Sequence, residues 1–141
     1  MTKEEFAGKL QDFDALWLTL FGEARGEPIE GLIAVGCVIR NRVNTQKKTY
    51  KEICLADNQF SCWNSDDPNL PIMMDNFYLI NPLLTQIKFI SAGIIQQLLL
   101  DNTKGATHYL TTSLFKTKPP RWAMEGKMAT IKGNQTFIIC A

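Results

Sequence analysis

The chain has 141 residues, 45% of them hydrophobic, and a formal net charge of +1. This is enough for one compact domain over residues 1–141, and too little for two comfortable ones or a doubly wound cofactor domain. The balanced charge exerts no general pull on nucleic acid, and a single histidine excludes a multi-histidine catalytic metal centre.

Thr2-x-x-Glu5 has the form of a capping box, so a short first helix is expected there. Asp12 or Asp14 caps the next, which runs to about Gly22 or Ala24. Leu16, Leu20 and Phe21 recur at helical spacing and predict a buried face. Glu23 lies near the end of that helix, where Gly22 and Gly26 interrupt the pattern. Pro28 suits the first turn of a third helix reaching about Val43. Ile29, Leu32, Ile33, Val35, Ile39 and Val43 form its apolar face. Two elements thus hold the Glu23 carboxylate at the rim of an apolar layer. Such burial raises a carboxyl pKa and makes a general acid possible at neutral pH.

Residues 44–81 read as irregular, rich in Asn, Asp and Pro with interspersed aromatics. A loop of this length with aromatic content is a functional candidate. Asn81-Pro82 opens a helix to about Leu100, with Ile87, Ile90, Ile94 and Leu98 as its buried stripe. Gln86, Lys88, Ser91, Gln96 and Gln97 interrupt this segment, which is read as a core helix and not a membrane span. Asn102 to Gly105 turns the chain, Ala106 to Leu110 is extended, and Pro119 to Trp122 is a rigid loop. Met128–Ile131 and Thr136–Ile139 make a β-hairpin about Lys132-Gly133-Asn134. The fold class expected is α+β, mainly helical, with helices near 14–24, 28–43 and 82–100 forming the core.

None of the four cysteines stands in a Cys-x-x-Cys pair, so no zinc site is expected. Cys37 reads as a small core residue, and Cys54 and Cys62 flank a loop across which a disulfide is open. Residues 1–30 hold three basic and seven acidic side chains, residues 104–141 six basic and one acidic. The basic end suits an anionic polymer such as cell wall, and a solvated surface equally well.

Gly22-Glu23-Ala24-Arg25-Gly26-Glu27, then Gly31, Ala34-Val35 and Asn41-Arg42-Val43, resembles the opening signature of the cell wall hydrolases typified by spore-cortex-lytic enzymes. Ile53-Cys54, Gln59-Phe60-Ser61-Cys62-Trp63 and Ala106-Thr107-His108-Tyr109 are similar to further motifs of that family. The resemblance implies a lysozyme-like fold, peptidoglycan glycan strands as partner and Glu23 as catalytic acid. One departure stands out: the family commonly ends in Gly-x-His-x-Phe, and this chain has Gly133-Asn134-Gln135-Thr136-Phe137. Gln135 hydrogen-bonds but carries no proton at neutral pH.

The chemistry expected is cleavage of the MurNAc–GlcNAc bond with Glu23 protonating the leaving oxygen. A hydrolase wants a second carboxylate, and Glu27, Asp57 and Asp75 are candidates without a convincing pattern. A lytic transglycosylase needs none, because the muramyl 6-hydroxyl attacks its own anomeric carbon. Substrate contacts are expected from Gln59, Phe60, Ser61, Trp63, Thr107, Tyr109, Trp122 and Gln135, each also compatible with packing or simple exposure. His108 reads as packing or support, and Arg25 as an ion pair or a ligand of backbone carbonyls. Competing readings are a peptide- or amide-bond-cleaving enzyme using a Cys and His108, and a non-enzymatic wall-binding or virion domain that has lost its chemistry. A monomer without cofactor, metal, nucleic-acid partner or membrane insertion is expected. No apolar run follows a basic start at Met1 to Glu5, so action at the wall implies an export or phage-dependent release route left open.

Overall fold

The computed structural model describes residues 1–140. Helices α1 (Lys3–Gly8), α2 (Asp12–Ala24) and α3 (Ile29–Gln46) come first. Then α4 (Tyr50–Leu55), a 3-10 turn at Ser61–Trp63, α5 (Asn69–Asn76) and α6 (Pro82–Ile95) follow. Strand β1 (His108–Thr111) leads to α7 (Thr112–Thr117), α8 (Arg121–Glu125) and the hairpin β2 (Lys127–Lys132) and β3 (Gln135–Ile139). The α+β, mainly helical class holds.

The caps explain the boundaries. Thr2 accepts from the Glu5 N–H, and Asn81 from the Leu84 N–H. Gln11 and Asp14 form a reciprocal box that starts α2, in which Asp14 takes part from inside the helix. Thr49 and Glu52 do the same for α4. That box lies in the stretch read as irregular, and residues 44–81 in fact carry two helices and a 3-10 turn. They are short, so hydrophobic periodicity had too few turns to show. For the same reason Pro119–Trp122 opens α8 instead of forming a loop. Helix α6 ends at Ile95, and Gln97 takes a left-handed conformation beyond it. Leu98 is therefore outside the helix and 74% exposed, not in the buried stripe. Ile29 is likewise exposed, at the first turn of α3.

Helix α2 is the centre of the core. Ala15 through Gly22 are all buried, and α3, α4, α5 and α6 pack around them. The sheet has the order β1-β3-β2, antiparallel throughout, with Tyr109 opposite Phe137 and a bulge between Met128 and Thr130. Phe137 joins the sheet to the main core, while Leu110, Ala123 and Ile138 form a small cluster on the other face under α8. Gly133, at φ +57°, makes the hairpin turn. There Asn134 donates from its backbone and side chain to the Glu27 carboxylate, each at 3.4 Å, tying the turn to the start of α3. All four cysteines are free thiols, so Cys54 and Cys62 do not pair. Among the described residues, no helix is long and apolar enough to cross a membrane.

Candidate active site

Gly22 sets the position of Glu23. A Cβ at Gly22 would come within 2.5 Å of Met73 Sδ and 2.8 Å of Cys62 Cβ. Only a glycine lets α5 and the 3-10 turn approach α2 so closely. That approach brings the Cys62 N–H to 3.4 Å from Glu23 Oε1. The turn itself is anchored by Trp63, whose Nε1 donates to Thr19 Oγ1 at 2.9 Å inside the core. Arg25, one turn beyond Phe21, donates to the Phe21 and Gly22 carbonyls and to Asn69 Oδ1, and so ties the end of α2 to α5.

Glu23 lines a cleft of about 570 Å³ together with Arg42, Asn58, Gln59, Phe60, Ser61, Asn64, His108, Tyr109 and Trp122. Its carboxyl pKa is raised. Burial is the main cause; the Asp67 charge adds to it, and the Cys62 and Ser61 donors oppose it. Burial first, and then the Glu23 charge, push the Tyr109 phenol well above its usual range. Arg42 is buried, with no carboxylate partner among the described residues; its Nε donates to the Thr107 carbonyl and its Nη1 to Gln59 Oε1, with Phe60 under the guanidinium. His108 and Trp122 face each other at 5.2 Å across the far wall.

Of the residues singled out in the sequence, Glu23, Gln59, Phe60, Ser61, Tyr109 and Trp122 meet in this cleft. Trp63 does not: it is 3% exposed and belongs to the core, and Phe60, equally buried, meets the cleft only as part of that core and not as an exposed ring. Thr107 stands behind the wall, bonded to His108 and to the Cys140 backbone. Gln135 lies opposite Thr111, two rungs along the sheet from Tyr109, outside the cleft lining. Glu27 is occupied at the hairpin turn, and Asp57 and Asp75 are exposed and do not line the cleft. Arg42, Asn58, Asn64 and His108 are lining residues that received no substrate role from the sequence. Arg42 did carry a signal, its place in the Asn41-Arg42-Val43 segment of the family resemblance. The two asparagines carried none. Among the described residues, no group of three or more His, Cys, Asp or Glu is arranged to hold a metal.

The chain is thus an α+β lysozyme-like domain with a half-buried glutamic acid in a polar and aromatic cleft. The family model described as Cell Wall Hydrolase matches residues 26–138, and the chain belongs to that family. The match begins three residues after Glu23. Two solved structures share the fold. The catalytic domain of the Bacillus cereus SleB protein is 23% identical, with a TM-score of 0.66 over 92% of this chain and 89% of that one. The catalytic domain of the germination-specific lytic transglycosylase SleB from Bacillus anthracis is 24% identical, with a TM-score of 0.66 over 95% of this chain and 98% of that one. No curated protein matches the sequence.

Proposed function

We propose that the protein cleaves the MurNAc–GlcNAc bond of peptidoglycan as a lytic transglycosylase, with Glu23 as general acid and then general base. The observation that carries this reading is the cleft's inventory: among the described residues, Glu23 is the one carboxylate in its lining, and its pKa is raised. A raised pKa keeps the proton available for the leaving oxygen. The lack of a second lining carboxylate among the described residues suits intramolecular attack by the muramyl 6-hydroxyl, which needs no protein nucleophile. After departure of the leaving group, the Glu23 carboxylate is the base that takes the proton of that hydroxyl. The lytic transglycosylase named among the structural relatives supports the same reading. Trp122 offers a ring face for sugars, and Gln59, Ser61, Asn58 and Asn64 offer hydrogen bonds, while Phe60 is buried beneath the Arg42 guanidinium and supports the cleft floor. The protein then acts at the bacterial wall on glycan strands, and residues 1–141 form one catalytic domain.

Purified sacculi digested with the protein are expected to release muropeptides with 1,6-anhydro ends. Mass spectrometry reads this directly, because the hydrolytic product is heavier by one water. A reducing end would mean hydrolysis and would direct attention to Asp67, whose charge reaches Glu23. The amidase reading has little support. Burial raises every thiol, Cys54 to about 12, so no cysteine is a ready thiolate. Loss of chemistry through Gln135 is also weakened, since that side chain is outside the cleft lining.

The pH profile tests the state of Glu23. The acid form is competent, so cleavage is expected to persist above the ordinary glutamate value of 4.5 and to fall as pH rises through the raised one. An alkaline limb centred at or below the ordinary value would remove the argument from burial.

A further inference from the structure

His108 is the single histidine of the chain, and its ring stands in the cleft wall. Strand β1 is an edge strand, and its successive residues His108 and Tyr109, which alternate between the two faces of the sheet, both line the cleft. His108 Nδ1 lies 2.9 Å from Thr107 Oγ1. The Thr107 hydroxyl already accepts from the Cys140 N–H at 3.0 Å. Its one proton has two possible acceptors, His108 Nδ1 at 2.9 Å and the Cys140 carbonyl at 3.4 Å. The first is within ordinary hydrogen-bond length for a hydroxyl donor and the second is long. Donation to Nδ1 makes that nitrogen the acceptor, so the ring proton sits on Nε2.

We propose that His108 is a substrate-binding residue, held by Thr107 as the Nε2–H tautomer, which donates to the acetamido carbonyl of an N-acetylhexosamine whose methyl group packs on Trp122. The pairing of donor and ring face is the basis for this choice. The indole lies 5.2 Å from the imidazole and is 39% exposed, so an apolar surface adjoins the donor. An acetamido group presents a carbonyl and a methyl side by side and satisfies both. The charges around the ring favour the neutral form. Burial and the Arg42 guanidinium of α3 lower its pKa. Glu23 of α2 lines the same cleft, and the neighbours Tyr109 and Cys140 both have raised pKa values and are neutral at pH 7. With Nδ1 engaged and Nε2 protonated, His108 is a donor and not a second base. This assignment deepens the glycan reading of the cleft and rests on it for the choice of ligand.

Two measurements test it, and neither needs turnover. Long-range proton–nitrogen NMR of the free wild-type protein at pH 7.5 reads the tautomer from one unambiguous imidazole. The Nε2–H pattern is expected. The Nδ1–H pattern, or a doubly protonated ring, would overturn the proposal. Binding is then titrated on the Glu23→Gln protein, so that the oligomer stays intact, with the N-acetylglucosamine tetramer and the neutral glucose tetramer as probes. His108→Phe keeps a ring against Trp122 but removes the donor. It is expected to weaken the N-acetylated tetramer about five- to tenfold and to leave the glucose tetramer unchanged. His108→Gln, which restores a donor, is expected to recover most of the loss. Equal weakening of both probes, or none of either, would refute the acetamido assignment. A catalytically inert wild type that still shows the Nε2–H ring and the selective loss would sink the proposed reaction and leave this site standing.

Discussion

Glu23→Gln is expected to give a folded protein that still binds peptidoglycan and cleaves it about 10²–10⁴-fold more slowly. That loss corresponds to about 3–5 kcal/mol of barrier. Glutamine keeps the size of the side chain and still accepts from the Cys62 N–H, but it has no transferable proton. The same substitution has a stability signature with the opposite sign. The folded protein raises the Glu23 pKa, so it binds the proton more tightly than the unfolded chain does. Stability from this group is present below the unfolded value and declines as pH rises towards the folded one. Above that window the wild type holds a partly desolvated charge that the variant lacks. Thermal unfolding at alkaline pH should therefore find Glu23→Gln at least as stable as the wild type. Undiminished cleavage by this variant would overturn the acid assignment, whatever the product.

Trp63→Ala is expected to destabilise the fold by about 3–5 kcal/mol, the usual range for emptying a large aromatic site. The indole is 3% exposed, packs near Phe6 and holds the 3-10 turn through Thr19. Its loss leaves a cavity beneath the turn that donates to Glu23, so activity should fall together with the denaturation midpoint. Chemical denaturation of the variant measures the effect. If Trp63 instead served a sugar, stability would stay within about 0.5 kcal/mol, as for ordinary surface changes, and KM alone would rise. Trp122→Ala is the informative contrast, because that ring is exposed in the cleft wall.

The contrast between the two tryptophans marks the boundary of what a sequence carries. Long amphipathic helices announce themselves: α2, α3 and most of α6 followed from periodicity and caps. The hairpin followed from Gly133-Asn134 between alternating strands. Glu23 was legible because a motif framed it. Which neighbouring aromatic faces solvent was not, since Phe60, Trp63 and Trp122 have the same chemistry and differ only in three-dimensional placement. The polar side of the cleft was hidden for a related reason. Asn58 and Asn64 reach it from short loops whose geometry is set by α4, the 3-10 turn and α5. Arg42 reaches it from inside a helix, where its partners are a carbonyl and an amide distant in sequence. The end of α6 was overrun because Leu98 continues the apolar spacing after the backbone has turned at Gln97.

The strand order has a consequence for how the protein is made. The middle strand of the sheet, β3, is the last of the three to be synthesised. Strand β1 has no ladder partner until β3 emerges, and β1 carries His108 and Tyr109. The helices that hold Glu23 are complete far earlier in translation. A nascent chain halted before residue 135 therefore carries Glu23 on a nearly finished helical half, without the strand pairing that places His108 and Tyr109 in the cleft wall. The three strands thus come together in one step, when β3 enters between β1 and β2.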